Sequence, residues 1–270
     1  MSQLNLTFIA LLKEAQFTKQ LLGAGATEIR RANYGSKGVY FQSFASLSTG
    51  LERIGKLCLI LDHYIETQGQ FPDFKYLKNA IWHDLLLLQQ KANEVIINRN
   101  IAITVPSTAI HQSIISLLSD FAKGDRYSNI DFIVGSTRQS DPISAWFTQV
   151  DIPLFETRVA DKKKQKITAN AIAIAEMISE YAYVLHTSET GSEINSVEEA
   201  SYRTGIYEAV APYRQLYVLQ IIRFWSQLLR KLQYKSQSLG KQDIPFFGEL
   251  FAAFENDDTY IKTRKTWDNL

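Results

Sequence analysis

The sequence predicts an all-α protein, a multi-helix bundle, on three observations. Only six prolines and 13 glycines punctuate 270 residues, so long segments run without a breaker. Within those segments apolar residues recur at spacings of three and four rather than two. Hydrophobic residues make up 46% of the chain, which excludes general disorder and supplies enough side chains for a sizeable core. With 29 Lys+Arg against 28 Asp+Glu the net charge is +1. That balance argues against coating nucleic acid or membrane by bulk charge and leaves room for a local patch.

The elements follow in order. The first helix is expected over residues 5–22, with Gly23 and Gly25 ending it. A basic, Gly-containing connector occupies residues 30–38. The second helix, residues 40–67, repeats apolar residues at Phe44, Leu47, Leu51, Ile54, Cys58, Leu61 and Ile65, one continuous buried stripe closed by Gly69. Pro72-Asp73 restarts helix, the Asp73 carboxylate being suited to accept from first-turn amides. This third region runs to about residue 98 and is apolar on most faces at residues 85–88, so a central place is expected. Asp84 offers a second cap if the helix restarts after Ala80.

Pro106 fits the first turn of a fourth helix ending near Lys123-Gly124. Residues 125–135 read as a turn or short helix. Residues 142–186 read as helix broken near Asp151-Ile152-Pro153, and residues 187–196 as a loop and hinge. A long helix spans residues 197–236 with a bend expected at Pro212, which lacks the amide for an internal hydrogen bond. A short unit at residues 245–254 and a turn containing Asp257-Asp258 finish the chain. Strand is conceivable only at residues 96–105, where a helix end plus loop serves equally well. Residues 1–135 are expected to form a helical core, with residues 136–270 packed on it as one compact unit.

The lone Cys58 permits neither a disulfide nor a Cys-rich zinc site, and its apolar surroundings predict a buried thiol. Residues 1–17 lack a basic leader and read as an amphipathic helix rather than a secretory signal. No segment approaches the roughly 18 uninterrupted apolar residues of a membrane span. A cytoplasmic protein without membrane attachment is expected. The phosphate-binding, dinucleotide, zinc-protease and nucleophile-elbow motifs are absent, and the four histidines have no metal-ligand spacing, so neither metal nor cofactor is implied.

Three constellations could carry chemistry. Arg53, Lys56 and His63 fall at spacings of three and seven on one face of the second helix, with Glu52 and Asp62 beside it. Two cations and an imidazole there suit phosphate binding, with His63 as acid or base. A solvated ion-pair face explains the same pattern. His83 sits in an apolar segment and would join that face if the two helices pack antiparallel. A buried structural histidine is the alternative. On the long helix, Gln220, Arg223, Gln227, Arg230 and Tyr234 form a stripe within a stretch, residues 209–242, that has six basic residues and no acid. Such a stripe can grip a phosphate backbone and stack bases, or simply be a core helix's outer face. The runs at residues 162–164 and 262–265 read as solvated charge.

Residues 46–57 (Ser-Leu-Ser-Thr-Gly-Leu-Glu-Arg-Ile-Gly-Lys-Leu) and 82–88 (Trp-His-Asp-Leu-Leu-Leu-Leu) resemble the paired core helices of HEPN (higher eukaryotes and prokaryotes nucleotide-binding) domains. Residues 121–131 (Phe-Ala-Lys-Gly-Asp-Arg-Tyr-Ser-Asn-Ile-Asp) resemble a turn found in bacterial members. The resemblance covers about a third of the chain, residues 40–135. It implies a helical bundle, often a homodimer, that binds RNA or a partner protein in antiviral defence or toxin–antitoxin regulation. Many members are metal-independent ribonucleases. The family's signature of Arg followed four to six residues later by His is missing: His63 lies ten positions after Arg53, and Lys78 stands five before His83 where Arg would be needed. Lys supplies a point charge rather than a bidentate fork. If cleavage occurs, His63 or His83 would be the acid or base, with Arg53, Lys56 or Arg126 stabilising the phosphorane. A third possibility is a purely structural interaction module.

Overall fold

The computed structural model describes residues 5–76, 83–137 and 140–268. Among these residues eleven α-helices occur, and the one sheet is a two-residue ladder. The helices are α1 (Leu6–Arg31), α2 (Lys37–Glu66), α3 (Leu85–Asn98), α4 (Ala109–Lys123), α5 (Ser128–Ile133), α6 (Pro142–Trp146), α7 (Ile152–Arg158), α8 (Asp161–Ile178), α9 (Val197–Gln237), α10 (Phe247–Phe251) and α11 (Asp258–Thr263). No described helix is long and apolar enough to cross a membrane.

The glycines expected to stop α1 lie inside it. Buried positions Leu11, Ala15, Thr18, Leu22, Ala26 and Ile29 keep helical spacing past both. Gly23 and Gly25 are there for close approach. A Cβ on Gly23 would stand 2.0 Å from the Trp267 carbonyl oxygen, and one on Gly25 2.6 Å from Leu47 Cγ. Gly50 answers from α2, where a Cβ would meet Leu22 Cδ2 at 2.8 Å. Ser43 Oγ donates to the Gly25 carbonyl at 2.9 Å, so the two backbones pack nearly side by side. The pairings 25 with 47 and 22 with 50 run in opposite senses, so α1 and α2 form an antiparallel hairpin.

α2 is the central helix, buried on several sides against α1, α3, α4 and α9. Its end is as expected: the Gly69 amide donates to the Tyr64 carbonyl at 2.8 Å, with Gly69 at φ +98°. Cys58 is buried, and that burial pushes its thiol well above its ordinary pKa. Asp73 accepts from the Tyr76 amide at 2.9 Å as expected, and residues 77–82, including Lys78 and Trp82, lie outside the described residues. Asp84 caps α3 by accepting from the amides of Leu86 and Leu87 at 3.0 and 3.2 Å.

α3 is peripheral rather than central: Leu85 and Leu88 are buried, while Leu86 and Leu87 face solvent. It also runs parallel to α2. Gly55 faces Leu88 and Arg99 reaches Asp62, so the numbers rise together along both helices. The antiparallel packing that would have united His63 with His83 does not occur.

Pro106 precedes α4 instead of opening it, and Thr108 is the cap, accepting from the His111 amide. The expected break at Asp151-Ile152-Pro153 is a π-helical turn, Phe147–Asp151, joining α6 to α7. The real interruption comes after Arg158. Residues 187–196 are not an open hinge. His186–Thr187 pairs with Glu193–Ile194, and Ser188, Glu189 and Ile194 are buried. Residues 96–105 contain no strand, and α9 continues through Pro212 as helix. The C-terminal elements fold back on α1 and α9, with Trp267 stacked on Phe254 and its amide donating to Thr27 Oγ1 at 2.8 Å. One hydrophobic cluster therefore runs from Leu11 to Trp267, joining both halves of the chain.

Candidate functional site

The antiparallel α1–α2 hairpin leaves a groove on the side where α3 begins and α4 ends. Four of the residues singled out from sequence, Arg53, Lys56, His83 and Arg126, line it. Helical spacing places Glu52, Arg53 and Lys56 on neighbouring positions of α2. The parallel course of α3 delivers His83 to the same level, and the Gly124 turn after α4 brings Arg126 to the far wall. The groove has a volume of about 750 Å³ and is also lined by Ser48, Thr49 and the rings of Phe41 and Phe121.

A belt of charge crosses it. Arg53 Nη1 donates to both Glu14 oxygens, at 2.7 and 2.8 Å. Lys56 pairs with Glu52 one turn earlier, and the other Glu52 oxygen lies 3.0 Å from His83 Nδ1. Glu52 is the most buried member and so fixes the positions of the other two. Arg126 stacks over the Tyr127 ring at 5.2 Å and meets no carboxylate at ion-pair distance among the described residues. Beneath the belt, Asp84 holds the start of α3. Burial pushes its carboxyl up, but the Leu87 amide, Lys123, Ser119 Oγ and the Leu86 amide together outweigh that and hold it below its ordinary range.

On the other side of the belt the groove continues into a second, largely apolar recess of about 680 Å³. Leu11, Leu57, Ile60, Phe71 and Phe74 form its walls, and Glu14, Lys56 and His83 belong to both compartments. His63 belongs to neither. Its ring packs at a tilt against Tyr76, with centroids 4.8 Å apart, and it lies eleven helix positions from Glu52, about 16 Å along the axis.

The stripe on α9 is not an open basic face. Arg223 pairs with Asp258 at 2.8 Å and donates to the Asn256 carbonyl at 2.9 Å, and Arg230 pairs with Glu255 at 2.7 Å. Gln220 donates to Asp258 at 2.9 Å. Gln227 is half-buried and Tyr234 exposed, and of the cations between them Arg230 is paired while Lys231 is exposed. The acids that neutralise the stripe come from the folded-back segment at residues 255–258, which local sequence could not reveal.

Two groupings were missed. Arg214, one of the six basic residues within 209–242, is fully buried in an ion pair with Asp151 at 3.2 Å. Trp146 Nε1 and the Tyr40 hydroxyl donate to Asp151 at 3.2 and 3.3 Å. Desolvation is the main influence on Asp151 and raises its pKa to about 6, with Arg214 opposing it. The signal was there: Arg214 sits four residues from both Val210 and Val218 on the apolar face of α9. The second is a cavity lined by Arg158, Lys262 and His111, whose members are too far apart in sequence to suggest one another.

No protein-family model, curated protein or solved structure matches the chain.

Proposed function

We propose that the protein binds RNA, holding a single strand along the groove between the α1–α2 hairpin and the facing ends of α3 and α4. The observation that carries this reading is the convergence of Arg53, Lys56, His83 and Arg126, from three separate segments, on one groove walled by Phe41 and Phe121. Phosphates require cations and hydroxyl donors, and unstacked bases require aromatic faces. The groove offers both: Thr49 supplies an exposed hydroxyl and the half-buried Phe41 a ring face, with Phe121 packed behind it. Glu14 and Glu52 hold Arg53 and Lys56 in place and offset part of their charge, so binding is modest and salt-sensitive. The resemblance to HEPN domains points the same way, and antiviral defence or toxin–antitoxin regulation is the setting it suggests.

Fluorescence anisotropy of a labelled single-stranded RNA tests the reading. About three phosphate contacts give a slope near −2 in log K against log salt. Arg126→Glu should weaken binding about tenfold, while Lys163→Glu on exposed α8 should not. Equal effects of the two variants, or no saturable binding, would refute it.

A second reading, metal-independent RNA cleavage, is favoured by the Glu52–His83 pair: a carboxylate at Nδ1 orients an imidazole for proton transfer. His83 would move the proton, and Lys56, Arg53 or Arg126 would stabilise the phosphorane. RNA incubated with the protein in chelator should then be cut, and His83→Ala should abolish cutting while weakening binding less than Arg126→Glu does.

A further inference from the structure

A cavity of about 520 Å³ lies between α4, α7, α9 and α11. Its floor is a closed, neutral network. Thr108 Oγ1 lies 2.9 Å from His111 Nδ1, and His111 Nε2 lies 2.8 Å from Gln220 Oε1. The Gln220 amide nitrogen donates to Asp258 at 2.9 Å, which orients the amide so that its oxygen accepts from His111 Nε2–H. Burial pulls the His111 pKa below its ordinary value, and this tautomer suits a neutral ring. Asp258 in turn is balanced by Arg223 at 2.8 Å. The floor therefore carries no surplus charge.

The walls do. Arg158 Nε donates to the Tyr217 hydroxyl at 3.0 Å, and its guanidinium lies over that ring at 5.5 Å. Lys262 Nζ lies 4.5 Å from the Tyr213 ring centroid. Neither cation meets a carboxylate at ion-pair distance among the described residues. Tyr213 and Tyr217 are one turn apart on α9, so their β-carbons stand about 6 Å apart on one face. Two uncompensated cations are thus mounted on adjacent aromatic platforms above one cavity. Same-sign charges that line one cavity without a carboxylate contribute nothing to folding, and an anion entering that cavity can accept from both.

We propose that this cavity is a binding site for a small phosphate ester, with Arg158 and Lys262 clamping the phosphate. The rings of Tyr213 and Tyr217 and the Thr259 and Thr263 hydroxyls line the remaining space. The site is separate from the RNA groove and shares no lining residue with it.

Isothermal titration of the full chain tests the assignment with three probes: inorganic phosphate, adenosine monophosphate and adenosine. Phosphate and the monophosphate should bind saturably and adenosine should not. Similar affinities for the two identify free phosphate as sufficient, and a monophosphate at least about tenfold tighter identifies a nucleotide held by the tyrosines. Arg158→Gln and Lys262→Gln, each checked for native circular dichroism, should weaken binding by about tenfold or more. Absence of saturable phosphate and monophosphate binding up to about 10 mM, or affinities unchanged in both variants, would overturn the proposal.

Discussion

Replacing Arg214 with Met leaves Asp151 buried without its main cation, and the consequence is a specific pH dependence. Asp151 is completely buried, and desolvation already lifts its carboxyl from 3.8 to about 6 despite Arg214. A carboxyl whose pKa is higher in the folded state contributes most below 3.8, and that contribution fades as pH rises through about 6. The two-unit shift corresponds to roughly 3 kcal/mol, all of it spent by pH 7. Without Arg214 the folded-state pKa climbs further, so the loss continues above pH 6, where the wild-type contribution is flat. The destabilisation caused by Arg214→Met should therefore grow by about 1–3 kcal/mol between pH 6 and pH 8, toward a total near 3–5 kcal/mol. Urea unfolding of both proteins at pH 6, 7 and 8 gives the difference directly, and titrating groups that Arg214 does not face cancel between them. A destabilisation that is the same at all three values would refute the buried-pair account.

Other perturbations test the packing and the site. Gly23→Ala should cost about 1–3 kcal/mol, because a Cβ meets the Trp267 carbonyl at 2.0 Å; thermal unfolding decides, since helix propensity alone predicts about 1 kcal/mol of gain. Arg223→Gln removes a half-exposed ion pair and should cost no more than about 1 kcal/mol by chemical denaturation. The same variant should leave RNA affinity within about twofold; a tenfold fall with the fold intact would move the RNA face to α9. Cys58 should react with a thiol reagent only at the rate of global unfolding, and rapid labelling of the native protein would contradict its burial.

What sequence reveals here is what is encoded within one turn of helix. The Asp73 cap, the Gly69 and Gly124 ends and the apolar stripe of α2 all rest on local chemistry, and each appears in the structure. Gly23 and Gly25 show the limit. A glycine signals either a helix end or a close approach, and only the distant Trp267 and Leu47 decide between them. The direction of α3 was equally hidden, because nothing within residues 85–98 says whether they run with α2 or against it. That direction put His83 beside Glu52 and left His63 at the other end. Which of the two readings of the α9 charge holds was hidden for the same reason: Arg223 and Arg230 have no acid nearby in sequence, and their partners fold back from residues 255–258. Candidate residues were thus nameable from sequence, but their grouping depended on contacts between distant segments.

Where RNA touches the protein is the most direct test of the central claim. Ultraviolet cross-linking of a photoreactive single-stranded RNA, followed by mass spectrometry of the attached peptides, reads this without any substitution. Adducts should concentrate at Phe41 and its neighbours within residues 41–56 and at residues 122–127. Adducts concentrated instead between residues 220 and 234, or scattered over the surface without preference, would contradict it.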